Sequence, residues 1–268
     1  MLGTSSSSRE SSIMDLFDLA GRSAIVTGGA RGLGRAMASG LASYGANVAI
    51  ADIDLEGAEN AAKEIRCADV ESLAISADVT SEEDATHAVK KVLDEWGTLD
   101  ILLNNAGIGV LSPAEETPLE DFKHTYEIDL FGVFNFSKAA FGPMSKQGSG
   151  CIVNIASMAG LVPLYPQEHA SYNSAKAAVI MLTRSLAVEW QPFGIRVNAI
   201  APGYMMTPPV IELQHEDPDR WRQWMDRVPM GRAGQPDELR GAVVYLSSDA
   251  SSYMTGSVLV VDGGYTAR

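Results

Sequence analysis

Ser23-Ala24-Ile25-Val26-Thr27-Gly28-Gly29-Ala30-Arg31-Gly32-Leu33-Gly34 begins as an apolar run and breaks into a cluster of glycines. A helix-forming stretch follows from Arg35 to Tyr44. Glycines allow a tight turn and close approach of backbone to a ligand, and the free N–H groups at a helix start attract phosphate. A glycine cluster alone says little. Placed between a strand and a helix, it predicts a pyrophosphate-binding turn. The competing reading is a glycine-rich connection that binds nothing.

Outward from this turn, apolar runs alternate with helical patterns. Strands are predicted over 24–27, 47–52, 72–77, 99–104, 150–156, 196–200 and 257–261. Helices are predicted roughly over 32–44, 55–66, 82–96, 119–144, 170–190 and 236–247. Alternation of this kind with apolar strands implies a parallel sheet covered by helices on both faces. No linker, repeat or low-complexity insert divides it, so residues 15–268 are read as one domain after a Ser-rich flexible tail, 1–14. Ligands of such sheets bind beyond the carboxyl ends of the strands, and the chemistry is sought there.

Asp52 ends the second predicted strand, eighteen residues after Gly34. A carboxylate at this spacing accepts hydrogen bonds from an adenosine ribose 2′-hydroxyl and repels a 2′-phosphate, which favours NAD over NADP. Arg31, a cation in the glycine turn, pulls the other way. An alternative role for Asp52 is a loop-starting cap, which Asp54 fits better because it directly precedes the next helix.

Tyr172 and Lys176 lie four residues apart on one predicted helix, hence on one face. A phenol is a poor base at neutral pH, and a cation beside it favours the phenolate. The pair suits proton exchange with an alcohol or carbonyl oxygen. Alone, it would be read as chance on an amphipathic helix.

Composition narrows the partners. The chain has 268 residues, a net charge of −14 and 46% hydrophobic residues. That charge argues against nucleic acid and anionic membrane, and no apolar run reaches the roughly 20 residues needed to span a bilayer. The N-terminal stretch lacks the apolar core of a signal peptide. Cys67 and Cys151 make no disulfide framework and four scattered histidines make no metal-ligand spacing. Together these predict a cytoplasmic protein with reduced cysteines and no metal.

The glycine turn, Ser157 and the Tyr172/Lys176 pair together resemble the short-chain dehydrogenase/reductase family, from about Phe17 to the C-terminus. Thr27–Gly34 is similar to its Thr-Gly-x3-Gly-x-Gly, which implies cofactor contacts at Gly28, Arg31, Gly32, Leu33 and Gly34. Asp78-Val79 is similar to its adenine-binding pair, and Asn104-Asn105-Ala106-Gly107 to its Asn-Asn-Ala-Gly. Pro202-Gly203 follows the sixth strand, Thr207 stands where the family contacts the nicotinamide carboxamide, and the ending Val261-Asp262-Gly263-Gly264 is similar too. The resemblance implies a single-domain Rossmann fold with a doubly wound, seven-stranded parallel sheet. It implies an NAD(P)-dependent oxidoreductase acting on a CH–OH group. Tyr172 would be the general acid or base, Lys176 would tune it and hold the nicotinamide ribose, and Ser157 would hydrogen-bond the substrate oxygen. One position departs: Asp129, in Glu127-Ile128-Asp129-Leu130-Phe131-Gly132, stands where the family carries an Asn that holds a water in the proton relay. An ionised Asp accepts but cannot donate hydrogen bonds, and its charge bears on Lys176.

The segment 204–228, with Met205, Met206, Trp221, Trp224 and Met225, is expected to be a lid over the substrate or a helical pair packing its aromatics inward. Gln167 and His169 are candidate contacts to substrate hydroxyls. Pro166-Gln167, Ala201–Tyr204 and Trp224–Arg232 are similar to the polyol and sugar-alcohol branch of the family, which interconverts polyols and ketoses. Two alternatives stand beside an NAD-dependent polyol dehydrogenase. One is an NADPH-dependent 3-oxoacyl-carrier-protein reductase, against which Asp52 and the negative charge count. The other is a non-catalytic dinucleotide-binding regulator. The resemblance also implies a homotetramer.

Overall fold

The computed structural model describes residues 13–65 and 70–268. The expected tail therefore lies mostly outside the described residues, as does Cys67, while Ile13–Phe17 already forms an exposed 3-10 turn. Seven parallel strands make one sheet: β1 (Ser23–Thr27), β2 (Asn47–Asp52), β3 (Ser72–Ser76), β4 (Ile101–Asn104), β5 (Gly150–Ile155), β6 (Ile195–Pro202) and β7 (Val258–Val261). Their spatial order is β3-β2-β1-β4-β5-β6-β7. The order reverses at the β1/β4 boundary, which opens a crevice at the carboxyl ends of the strands.

Helices cover both faces: α1 (Gly32–Ser43), α2 (Leu55–Ile65), α3 (Glu82–Trp96), α4 (Leu119–Tyr126), α5 (Gly132–Gln147), α6 (Ala170–Trp190), α7 (Pro208–Glu216), α8 (Pro218–Met225) and α9 (Arg240–Ser247). One core cluster joins α1, α2 and α9 to the sheet through Met37, Leu41, Ile50, Leu103 and Val243. A second joins α3, α5 and α6 through Val89, Leu102, Phe136, Ile152 and Leu186. Fully burying such a side chain contributes about 1.5–3 kcal/mol, and the central strands β1, β4 and β5 bury almost all of their residues because helices lie above and below them.

Two expectations change in detail. The helix predicted over 119–144 is broken: a π turn, Glu127–Phe131, separates α4 from α5. The helix predicted over 236–247 begins as a 3-10 turn, Pro236–Leu239, before α9.

A buried polar ladder crosses the middle of the sheet. Asn104 Nδ2 donates to Ser137 Oγ on α5 (3.0 Å) and to Asn154 Oδ1 on β5 (2.8 Å). Asn154 Nδ2 donates to Thr183 Oγ1 on α6 (2.9 Å). Buried polar groups persist when paired in this way. No helix among the described residues is long and apolar enough to cross a membrane.

Candidate active site

The glycine turn lies at the mouth of the crevice. Gly28 and Gly32 adopt positive φ (62° and 58°), and a Cβ on Gly34 would fall 2.2 Å from the Gly28 carbonyl oxygen. Only glycine tolerates this packing. The turn is fastened from β4: Asn105 Nδ2 donates to the carbonyls of Thr27 (3.0 Å) and Gly28 (2.9 Å). Thr27 Oγ1 in turn accepts from the Asn105 and Ala106 N–H groups. Around Gly32 space is open: among the described residues only the Thr207 methyl comes near a would-be Cβ, at 3.9 Å. The turn and the start of α1 therefore form a backbone cradle that fits a pyrophosphate.

Asp52 ends β2 with one carboxylate oxygen on the Ala30 N–H (3.0 Å) and the other on the Asp54 N–H (3.0 Å). Asp54 caps α2 by accepting from the Gly57 N–H, 2.9 Å. Asp54 thus takes the helix cap, and Asp52 also ties down the start of the loop after β2 through the Asp54 N–H. Arg31 is exposed at the start of α1, with no carboxylate at ion-pair distance among the described residues. Asp78 is exposed and turns back on Thr80, and the buried Val79 gives its carbonyl to Asn135 Nδ2 (3.0 Å). The Gly203 N–H is taken by the Val261 carbonyl, and Thr207 stands at the start of α7.

The titratable pair is held by α6. Lys176 Nζ lies 5.6 Å from the centre of the Tyr172 ring. It donates to the Ile155 carbonyl (3.1 Å) and stands 3.3 Å from Asp129 Oδ2, at ion-pair distance but outside good hydrogen-bond geometry. Asp129 is wholly buried, and its other oxygen accepts the Ile108 N–H at 2.7 Å. Burial alone would push the ammonium down; Asp129, with Tyr172 behind it, more than reverses this and holds Lys176 above the usual lysine value. Removing one partner of such a pair leaves an uncompensated buried charge, at a cost of about 3–5 kcal/mol.

Ser157 follows β5 and is nearly buried. Its Oγ accepts the Ala159 N–H (3.1 Å), which leaves the hydroxyl hydrogen for another acceptor. His169 precedes α6, its ring 5.5 Å from that of Tyr172. Burial, with help from Arg220, lowers its pKa to about 4, and its buried Nδ1 has no hydrogen-bond partner among the described residues.

Gln167 does not stand open to a ligand through its carbonyl, since Oε1 accepts from the Tyr204 hydroxyl at 2.6 Å. Tyr204 stacks on Trp224 of α8 (4.8 Å, 10°), edge-on to Tyr265. The 204–228 segment is thus a helical pair with its aromatics inward, and its cluster reaches Met158, Leu164 and Tyr172. The Tyr204 pairing and the Asn104/Asn154 ladder were not anticipated. Asparagines closing apolar runs, as in Leu102-Leu103-Asn104, were the available sign of the ladder.

A family model described as enoyl-(acyl carrier protein) reductase matches residues 28–266. An NADP-dependent mannitol dehydrogenase of Hypocrea jecorina is 42% identical over 260 residues, covering 96% of each chain. A galactitol 2-dehydrogenase (L-tagatose-forming) of Cereibacter sphaeroides is 39% identical, covering 94% of this chain and 97% of its own. The crystal structure of an NAD+-bound xylitol dehydrogenase, 38% identical, superposes with a TM-score of 0.87 over 91% of this chain and 99% of the other. The chain belongs to the short-chain dehydrogenase/reductase family.

Proposed function

We propose that this chain is an NAD(P)-dependent dehydrogenase that interconverts a secondary alcohol of a polyol and the corresponding ketone, with NAD the preferred cofactor. The observation that carries the reading is the buried Lys176 ammonium beside the Tyr172 ring, bound to the Ile155 carbonyl two residues before Ser157, whose hydroxyl hydrogen is uncommitted. The polyol relatives at about 40% identity support the substrate class. For the cofactor they support either dinucleotide, since one is named for NADP and another was crystallised with NAD+. The preference rests on Asp52, whose carboxylate faces the glycine turn. Arg31, exposed and without a carboxylate partner among the described residues, is the observation that favours NADP instead.

The residues that would hold the cofactor are Gly28, Arg31, Gly32, Leu33 and Gly34 at the pyrophosphate, and Asp52 at the adenosine ribose. Asp78 and Val79 would meet the adenine. Asn105, Ala106, Gly107, Pro202, Gly203, Thr207, Tyr172 and Lys176 would line the nicotinamide half. When bound, the cofactor supplies the hydride acceptor, or the donor in reverse. Tyr172 takes the alcohol proton as the hydride leaves carbon. The Lys176 ammonium stabilises the negative charge that this places on the phenol oxygen. Ser157, polarised by the Ala159 N–H, donates its hydrogen bond to the substrate oxygen. His169, neutral, offers Nδ1 to a neighbouring substrate hydroxyl, and Tyr204 orients Gln167 so that its amide nitrogen is presented.

Large apolar side chains exposed on or beside α4, α5 and α6 (Leu119, Phe131, Phe134, Met181 and Val188) support self-association as a tetramer. The free, buried thiol of Cys151 supports a cytoplasmic location.

The test is cofactor reduction with sorbitol, galactitol, xylitol and simple secondary alcohols, run with NAD and NADP in parallel. Polyol turnover that falls by about 10²–10⁴-fold in Tyr172→Phe, with NADH binding kept, is the expected result. Turnover unaffected by Tyr172→Phe would overturn the assignment.

A further inference from the structure

We propose that Arg220, on α8, binds a carboxylate at the far end of the substrate, so that the preferred substrates are polyhydroxy acids (aldonates) rather than neutral polyols. This rests on the reading of Tyr172, given above, as the residue that exchanges the alcohol proton.

The helix α8 has two faces. Trp221, Trp224 and Met225 pack into the cluster that reaches Tyr172, while Asp219, Arg222 and Gln223 are exposed. Arg220 lies on the inward stripe, four residues before Trp224, and is half-buried. The outward Arg222 pairs with Asp219 at 3.1 Å. The inward Arg220 has no carboxylate at ion-pair distance among the described residues. Asp217, at the head of the helix, commits an oxygen to the Arg220 backbone N–H (3.0 Å). Charged side chains drawn inward are ordinarily paired, because leaving water is costly. A guanidinium in this position calls for an anion that the chain does not itself supply.

Two further observations point the same way. The guanidinium carbon lies 5.9 Å from the centre of the Trp224 ring, and the buried Trp224 Nε1–H has no acceptor among the described residues. A carboxylate offers lone pairs to both, and its planar pair of oxygens matches the guanidinium fork. Arg220 is also close enough to His169 to add to the effect of burial on its pKa. The His169 ring in turn is 5.5 Å from that of Tyr172. His169 thus links the guanidinium to the reacting end of the site. A substrate with its secondary alcohol at Tyr172 and a hydroxyl at His169 Nδ1 carries its next polar group toward Arg220.

One guanidinium and one neutral N–H suit a single negative charge. The acids close by in sequence, Glu168, Asp217, Asp219 and Asp226, and the net charge of −14 disfavour a dianionic phosphate. Arg227 also lacks a carboxylate at ion-pair distance among the described residues, but it lies over the exposed Tyr165 ring, at 4.7 Å.

Initial rates with gluconate against sorbitol, and xylonate against xylitol, measure the preference. kcat/KM for each acid should exceed that for its alditol by at least about tenfold, as one charge-assisted contact allows. Arg220→Met should lower that ratio by about 10–100-fold, through KM more than kcat. Arg220→Lys, which keeps the charge and loses the fork, should fall between. An alditol preferred by the unsubstituted enzyme, or a ratio that Arg220→Met does not move, would overturn the proposal and leave Arg220 a cover on Trp224. Circular dichroism establishes folding, and Arg220→Gln carries the same test if the Met variant does not fold.

A second readout needs no turnover. Gluconate, sorbitol and a sorbitol phosphate are titrated by calorimetry into the complex with reduced cofactor. Gluconate should bind at least about tenfold tighter than sorbitol, and Arg220→Met should abolish the difference. Equal binding of the two overturns the proposal, and tighter binding of the phosphate overturns the choice of carboxylate. Arg220-dependent gluconate binding without turnover of any alcohol would instead strike the dehydrogenase reading. Alditol turnover with no preference for the acid would strike this proposal alone.

Discussion

The Tyr204 hydroxyl donates a 2.6 Å hydrogen bond to Gln167 Oε1, joining the segment after β6 to the loop before α6. Both residues are buried, and burial together with Tyr265 pushes the phenol well above its ordinary range, so it remains a donor at any working pH. Tyr204→Phe leaves Gln167 with an unsatisfied buried acceptor, at a cost of about 1–3 kcal/mol. We expect a lower melting temperature and a severalfold rise in KM for polyol, with kcat within about twofold. Thermal unfolding and initial rates check both; a fall in kcat alone would refute the positioning role.

Asp52 offers a sharper test, because both of its oxygens are occupied by backbone N–H groups of the two turns it faces. Asp52→Ala removes the charge that a 2′-phosphate would meet. The ratio of kcat/KM with NAD to that with NADP should fall by at least tenfold, about 1.4 kcal/mol of discrimination. An unchanged ratio would mean that Arg31 governs the choice.

His169 makes a prediction for stability. Its folded pKa of about 4 lies below the ordinary histidine value of 6.5. Between those values the unfolded chain binds more protons than the folded one, so stability rises with pH across this window and is lost as pH falls. His169→Gln should flatten that part of the melting-temperature profile. KM for polyol should likewise show no inflection near 6.5, since the ring stays neutral down to about pH 4. A KM inflection there would show that the ring charges in the working enzyme.

The sheet was legible because its strands are short apolar runs with turn residues between them, and α6 was read to the residue because Pro166 and Trp190 bracket a continuous pattern. The break at 127–131 was not legible. No Pro or Gly lies between Leu119 and Phe131, and the helical period runs through. The contacts that accompany the extra residue are tertiary: Asp129 is held by the Ile108 N–H, and Gly132 packs so closely on Val79 that a Cβ would lie 2.7 Å from its side chain. The split of the 204–228 segment was within reach, since Pro208 and Pro218 each occupy the first position of a helix. The Tyr204–Gln167 bond spans 37 residues of sequence and no local pattern announces it.

The ladder through Asn104 and Asn154 fixes more than a core. It grips α5 at Ser137 and α6 at Thr183. Ser137 lies eight residues beyond Asp129, and Thr183 seven beyond Lys176. The extra residue of the π turn takes up the difference, so carboxylate and ammonium stand about two turns from the same crossbar. The four side chains act as an alignment jig: neither helix can slide along the sheet without breaking a buried bond, so the two charges keep their spacing.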